Sequence, residues 1–365
     1  MMQWRAGTVV EEVRRWAGAA ELTVALEETP GDVRAMAYSA VTGVPEPGER
    51  VLLNASALLR GLGTGGLAFV VARADVLPPD PPAGPGHIVK ARYTPMQQML
   101  LAVDEQESPH HRVLAEADDL AGLPVVVADL HSALPAVVAG VRRVRPEATV
   151  AYVMTDGGAL PAPFSRAVAG LRTAGWLAAC ITVGQAFGGD LDAVTVHTGL
   201  LAARHVLGAD VAVVAQGPGN VGTGTRWGYS GVAVAEALHA ADVLGGRGVA
   251  SLRVSGADRR ARHRGVSHHS TTAYGRALLA PADVPVTTLP DRELDARVRA
   301  QLAQLVGTAR AALTPVEVPA DGLLEALRSS PVPLATMGRG LREDPAPFLL
   351  AAAAGSHAAS VSARP

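Results

Sequence analysis

A single lysine, Lys90, and a single cysteine, Cys180, stand in a chain of 365 residues with 32 basic ones in all. The shortage of lysine speaks against two chemistries: a Walker-type phosphate loop places a lysine after its glycines, and a Schiff-base enzyme needs one in its pocket. The lone cysteine excludes an internal disulfide and any multi-cysteine zinc or iron–sulfur site. Its flanks, Trp176 to Val183, read as a buried strand, so a packed thiol is expected rather than a nucleophile. No apolar run approaches the ~20 residues that a membrane helix needs. The opening residues also lack the apolar segment of a secretory signal, and a cytoplasmic protein with no membrane contact is expected. Gly-x-Ser-x-Gly is absent, which leaves a hydrolase elbow without support. The formal net charge of -2 exerts no overall pull toward nucleic acid, and specific nucleic-acid binding has no support beyond one local basic block. There is no internal repeat.

What is present is 48% hydrophobic residues, in short runs broken by Gly, Pro and charges, with room for two domains. Residues 1–95 read as a β-rich domain. Segments such as Thr8–Val13, Glu21–Leu26, Val33–Tyr38, Val51–Asn54 and Leu67–Ala72 are separated by Gly or Pro-Gly turns, the pattern of a small antiparallel barrel or sandwich. The cluster Gly61 to Gly66 can be a hairpin or a phosphate cradle, and both readings stay open. Pro78 to Pro82 is a stiff connector. Residues 96–122 read as a linker in which His110 and His111 are a solvated pair or metal ligands.

From Leu123 strands alternate with helices, and residues 123–315 read as an α/β domain followed by an extension over 316–365. Strands are expected near Pro124–Ala128, Thr149–Met154, Leu177–Val183, Asp210–Ala215 and Gly248–Val254. Helices are expected over Leu134–Arg145, Phe164–Ala174, Leu191–Leu207 and Val232–Leu244. In the tail, helices are expected at Leu294–Ala312, Leu323–Arg328 and Pro347–Ala354, with the last ten residues disordered. The fold class is thus a doubly wound, mostly parallel α/β sheet, Rossmann-like and three-layered, with a β-rich N-terminal domain and a helical C-terminal extension. Ligands of such sheets sit at the carboxyl ends of the strands. There the chain places Asp129 and His131, Asp156 with two glycines, Gly184 to Asp190, the Gly217 loop, and Ser255 to Asp258.

The Gly217 loop satisfies G-x-G-x-x-G but runs on to Gly231 before a helix begins, and no acidic residue ends the next strand. A general anion cradle from Gly217, Gly219, Asn220, Gly222, Thr223, Gly224 and Thr225, with Arg226 and Ser230 nearby, competes with a purely structural loop. The block Arg259 to Ser270 is the stronger signal. Its four arginines and three histidines self-repel unless an anion or acidic partners sit among them. Arg262 and Arg264 suit an anion, and His263 and His268 supply acid–base or ligating nitrogen. The competing reading is a solvated loop or an ion-pair network with Asp258. His268 and His269 lie about 100° apart on a helix, so one of them is expected to face a ligand. Asp129, His131 and Asp156 with His263 or His268 form the expected group for a divalent metal. Asp190 and Asp192 are expected to cap a helix, and His197 and His205 to be packed or exposed.

The stretches Asp129 to Ser132, Tyr152 to Pro161, Gly184 to Asp190, Gly217 to Thr225 and Arg262 to His269 together resemble an uncharacterised bacterial family of actinobacteria and clostridia, known as a domain of unknown function. The likeness extends through residues 62–66 and Thr336 to Gly340, nearly the whole chain. It implies one folded unit and no particular activity. The residues themselves lead to an expectation of a cytoplasmic enzyme acting on a small phosphorylated or otherwise anionic metabolite. His131, His263 and His268 would be its acid–base groups, and Asp129 or Asp156 would orient them or a metal. A non-catalytic nucleotide or anion sensor, or a homo-oligomer interface at the same rim, is the alternative.

Overall fold

Strands that are apolar along their whole length need a sheet covered on both faces, and the computed structural model of the chain contains such a sheet. It describes residues 2–28, 30–62, 65–80 and 84–362. Gly63 and Thr64 of the glycine cluster and Pro81 and Pro82 of the proline run lie outside the described residues. The chain divides into two compact units, one of residues 1–85 and 91–98, the other of 86–90 and 99–365.

In the first unit β1 (Trp4–Trp16), β2 (Ala19–Leu26), β3 (Asp32–Tyr38), β4 (Arg50–Asn54) and β5 (Ala68–Arg73) close into a barrel in the order β1-β2-β3-β5-β4. Of the barrel and sandwich readings, the barrel is the one that forms, with one parallel pair, β3 with β5. Alternation places Leu22, Val24, Ala35, Ala37, Val51, Leu53 and Val70 inside. Two register shifts in β1, between Val9 and Glu11 and between Glu12 and Arg14, bend this longest strand enough to serve two neighbours. Closure leaves no strand edge open.

Short strands β6 (Ile88–Lys90) and β7 (Gln98–Leu100) precede the main sheet in sequence. The main sheet has eight strands, all parallel. They are β8 (Pro124–Ala128), β9 (Val150–Thr155), β10 (Ala179–Thr182), β11 (Leu191–Asp192), β12 (Val211–Gln216), β13 (Arg247–Ala250), β16 (Ala282–Val286) and β17 (Leu313–Glu317). Two antiparallel ribbons complete the set, β14 (Val254–Ser255) with β15 (Gly265–Val266) and β18 (Ala335–Thr336) with β19 (Arg339–Gly340). The order across the sheet is β11-β10-β9-β12-β8-β13-β16-β17. The fifth strand in sequence thus lies between the first two, unlike the classical dinucleotide-binding order. Every residue of β8 and β12 is buried, so helices must cover both faces.

Three of the eight strands depart from the sequence reading. Leu191–Asp192 was expected to open a helix, which begins instead at Val196, capped by the Thr195 hydroxyl. Asp192 receives the buried Lys90 ammonium at 3.0 Å, and Asp190 accepts from Arg172 and from the amide of Cys180, both at 2.7 Å. Neither aspartate caps that helix. The other two strands, β16 and β17, carry Pro285 and Pro315. Pro285 is tolerated because β13 pairs with β16 only at Val249 and Asp283, so its missing N–H breaks no bond on that side.

The tail also differs. The helix expected to stop near Ala354 runs over Ala346–Val361 and is buried as far as Ala359. Its small polar residues are paired rather than solvated: Ser356 Oγ donates to the Gly140 carbonyl at 2.9 Å, and His357 Nε2 meets Asp283 Oδ2 at 2.8 Å. This helix lies against Leu134–Val144 at backbone distance. A Cβ on Gly140 would run into the Ala352 carbonyl, and one on Gly355 into that of Val137.

Gly140→Ala or Gly355→Ala is therefore expected to lower the unfolding free energy by about 2–3 kcal/mol in urea titrations, although alanine is the better helix former. Gly307, exposed in the helix Arg292–Thr308 with nothing within 4 Å of its missing Cβ, is the control. Gly307→Ala should leave stability unchanged or raise it by up to about 1 kcal/mol.

Candidate functional site

Beyond the ends of the central strands the chain turns polar, because groups there can reach water or one another. From β8 comes Asp129, only 5% exposed. Gln216 ends β12, and its Nε2 donates to the Asp129 carbonyl (3.0 Å) and to Asn220 Oδ1 (2.9 Å). Arg253 follows β13, and the ribbon β14–β15 then frames the basic block. Tyr274, fully buried, donates to the carbonyls of Val127 and Ser251, both at 3.1 Å, and so stitches together the ends of β8 and β13.

Within the block a short turn, Ala261–His263, and the helix His268–Thr272 bring three imidazoles together. Ring centres are 4.9 Å apart for His263 and His268, 5.0 Å for His263 and His269, and 4.5 Å for His268 and His269. Ser267, which caps the helix by accepting from the His269 amide, meets His263 Nδ1 at 2.7 Å. Tyr229 stacks flat on His269 at 3.8 Å and donates its hydroxyl to the His269 carbonyl at 2.8 Å. Arg253 donates from Nη1 to His269 Nδ1 at 3.0 Å. Asp129 Oδ2 is 3.4 Å from His269 Nδ1 and 3.5 Å from Arg253 Nη1, near enough for attraction, yet this buried oxygen has no hydrogen-bond partner.

Burial, with the positive Arg253 and Arg260 nearby, pushes His263 down to about 3. Burial, with His269 and Arg262, pushes His268 down to about 4. Both rings are neutral at neutral pH. Asp258 is the block's own counter-charge. Arg260 grips it through Nε (3.0 Å) and Nη2 (2.9 Å), which holds its carboxyl well below the usual range. The ribbon β18–β19 reaches the same place: Arg339 lies 3.5 Å from Asp258, and Asp344 accepts from Ser255 Oγ at 2.5 Å and from the Gly256 amide at 3.0 Å. Arg259, Arg262 and Arg264 are exposed.

The residues singled out from sequence fall into three groups. His263, His268 and Asp129 come together, and His269 joins them, so both adjacent histidines face the cluster rather than one. His131 stays apart, with Nδ1 at 3.0 Å from the Tyr152 hydroxyl and Nε2 at 2.7 Å from Ser165 Oγ. The Tyr152 hydroxyl donates to carbonyls of Ala215 and Gln216, so His131 donates to Tyr152 and accepts from Ser165. Asp156 also lies elsewhere, accepting from the Gln185 amide at 2.8 Å. Among the described residues neither belongs to a metal-sized group, whereas His263, His268 and His269 do.

The Gly217 loop is more internally bonded than its composition implied. Gly217 and Gly158 allow two strand-end loops to touch, since a Cβ on either would strike the other loop's carbonyls. Asn220 accepts from Gln216 and Ser230. Gly222 bridges Tyr229, Thr223 N donates to Gly228 O at 2.7 Å, and the Thr223 and Thr225 hydroxyls meet at 3.0 Å. Gly219 and Gly224 take positive φ of 97° and 81° at the turns. The position of a Gly224 Cβ lies 3.7 Å from Arg262 Nη2, so loop and basic block adjoin.

Sequence reasoning passed over Arg253, Tyr229, Gln216 and Ser267. Arg253 was available to the strand-end rule, but β13 ends at Ala250 rather than Val254, so it lies beyond the strand rather than within it. Tyr229 stands alone in a loop and carries no spacing signal.

The chain belongs to the family described as a protein of unknown function, DUF3866, whose model matches residues 34–355. No curated protein matches the chain. No described helix is long and apolar enough to cross a membrane.

Burial holds His131 neutral down to about 4, whereas in the unfolded chain it takes up a proton near 6.5. Its stabilising contribution is therefore complete above pH 6.5 and is lost as the pH falls from 6.5 through 4, and His263 and His268 act in the same direction. Urea unfolding should give a lower free energy at pH 4.5 than at pH 7.5, His131 contributing at most about 2 kcal/mol because it is partly accessible. The slope should be shallower in His131→Gln, and an unchanged slope would remove His131 from the account.

Proposed function

We propose that the chain is a cytoplasmic enzyme that acts on a small phosphorylated or otherwise anionic metabolite, held at the carboxyl-end rim of its α/β sheet as in Rossmann-like folds. The observation that carries this reading is the meeting of Gly224 and Arg262. A glycine-rich turn adjoins an arginine block whose Arg259, Arg262 and Arg264 are exposed, while three imidazoles and the Asp129 carboxylate lie beside it. Exposed guanidinium forks suit phosphate and carboxylate. In this reading Arg262, Arg264 and the amides around Gly224 hold the anion, and His263 and His268 face its reacting end. His131 and Asp156 act one step back, by fixing the strand-end loops from which the site is built.

A second reading, a non-catalytic anion sensor or homo-oligomer, is favoured by one feature. Val221 and Trp227, on the same loop, are 65% and 53% exposed, as residues covered by a partner would be.

Thermal unfolding against a panel of nucleotides, sugar phosphates and carboxylates tests the enzyme reading, since a ligand at 100 times its Kd adds about 2.7 kcal/mol of stability. A rise in Tm with one class of phosphorylated compound is expected, abolished in Arg262→Ala with Arg264→Ala while the unliganded Tm stays put. No shift with any compound, beside a cooperative transition, would overturn it. A Tm that climbs with protein concentration instead would favour the oligomer.

A further inference from the structure

We infer that His263, His268 and His269 bind one divalent transition-metal ion, through three imidazole nitrogens with a fourth position open. The ligating atoms of the three lie within 4.8 Å of one another. A tetrahedral ion with bonds of 2.0–2.1 Å holds its ligand nitrogens roughly 3.3 Å apart, so small tilts of the rings close the set. The rings are already close and mutually inclined. Their centres are 4.5–5.0 Å apart and their planes are inclined by 55°, 84° and 64°, and none of the three stacks on another. About 5 Å is roughly the centre-to-centre spacing of imidazoles that share one ion.

Two buried atoms point to a missing ligand. His268 Nε2 is sealed from solvent and has no hydrogen-bond partner, and neither has Asp129 Oδ2, on a side chain only 6% exposed. Such atoms are rarely left unpaired, because nothing then offsets the loss of their contact with water. A bound ion satisfies both. It takes the His268 Nε2 lone pair directly. By ligating His269 at Nε2 it also fixes the proton on Nδ1, which lies 3.4 Å from Asp129 Oδ2. That is a carboxylate–histidine–metal arrangement, with Arg253 moving from the His269 ring toward the carboxylate it already faces at 3.5 Å. His263 is prepared in the same way, since its Nδ1 bonds Ser267 Oγ and its Nε2 is left to the ion.

Three imidazole nitrogens and no oxygen donor select zinc, cobalt or nickel over magnesium or calcium. Three protein ligands are the number found where the fourth position serves a water or substrate. Among the described residues the other group of suitable size, His87 with Glu105 and Glu107, carries no such claim. His87 and Glu107 are exposed, and the Glu105 carboxylate is occupied by the amides of His87 and Ala102.

The metal lies at the same end of the sheet as the anion site, but its test needs no metabolite. Untagged full-length protein, stripped with chelator, is titrated with Co²⁺ and followed by visible absorbance, and Zn²⁺ competition gives the affinity. One Co²⁺ per chain with an intense tetrahedral band is expected. In His268→Ala the affinity should fall by more than about 100-fold with the apo Tm preserved, and Asp129→Asn should keep the band but bind about 10- to 100-fold more weakly. His197→Ala, an exposed histidine elsewhere, should bind as the parent does. The inference is overturned if the folded apoprotein binds no stoichiometric Co²⁺ or Zn²⁺, or if His268→Ala binds as tightly as the parent. His263→Ala provides a second variant should His268→Ala melt without cooperativity. Metal binding without a Tm shift from any compound of the panel would sink the metabolite reading alone, and the reverse result would sink this one alone.

Discussion

A parallel sheet buried on both faces has room for polar side chains only beyond its strand ends, and this constraint organises the larger unit. The apolar runs Pro124–Ala128 and Val211–Gln216 can exist only because helices cover them above and below. Asp129, His131, Asp156 and the three clustered histidines all stand past strand ends. Even the polar groups inside the sheet obey it: the Lys90 ammonium is met by two carbonyls and Asp192, and Tyr152 and Tyr274 spend their hydroxyls on strand-end carbonyls.

At that rim the charges are arranged unequally. Asp258 is fully engaged by Arg260 and approached by Arg339, which makes it a structural counter-ion. Asp129 has Arg253 and His269 within reach, yet its Oδ2 accepts no hydrogen bond. The first arrangement is a finished ion pair. The second is held open by the surrounding framework, with Tyr229 stacked on one side of His269 and the Ser267 cap behind. A buried carboxylate oxygen without a hydrogen bond, beside three imidazoles, is the kind of exception that calls for a local explanation.

Much of this was legible in the sequence. Long apolar runs flanked by glycine marked the central strands and the barrel strands; the strand-end rule singled out Asp129, and the density of arginine and histidine in the block Arg259 to Ser270 singled out His263 and His268. The family resemblance, read from Asp129–Ser132 to Thr336–Gly340, agrees with a match over residues 34–355. The remainder depended on information that is not local. β11 is two residues long and exists only through its pairing with β10. Pro285 and Pro315 disguised β16 and β17, whose tolerance of proline depends on which neighbour pairs where. His268 and His269 were separated by helical geometry on paper, but they open the first turn of their helix and His263 lies within ring contact of both. Ser356 and His357 looked solvated because their partners, Gly140 and Asp283, are far away in the chain.

The crossing at Gly140 and Gly355 also bears on how the chain reaches this state. Ser356 and the carbonyl it bonds are 216 residues apart. At 5–20 residues per second a ribosome needs roughly 10 to 40 seconds to make that stretch. Throughout that interval the helix Leu134–Val144 has been made, but the helix it packs against has not. The face that Ala346–Val361 covers over β8 and β16 stays bare until the tail arrives, so the larger unit cannot fold segment by segment as it emerges. Its final collapse waits for that last helix, and until then the nascent chain carries an exposed apolar sheet face that a chaperone can grasp.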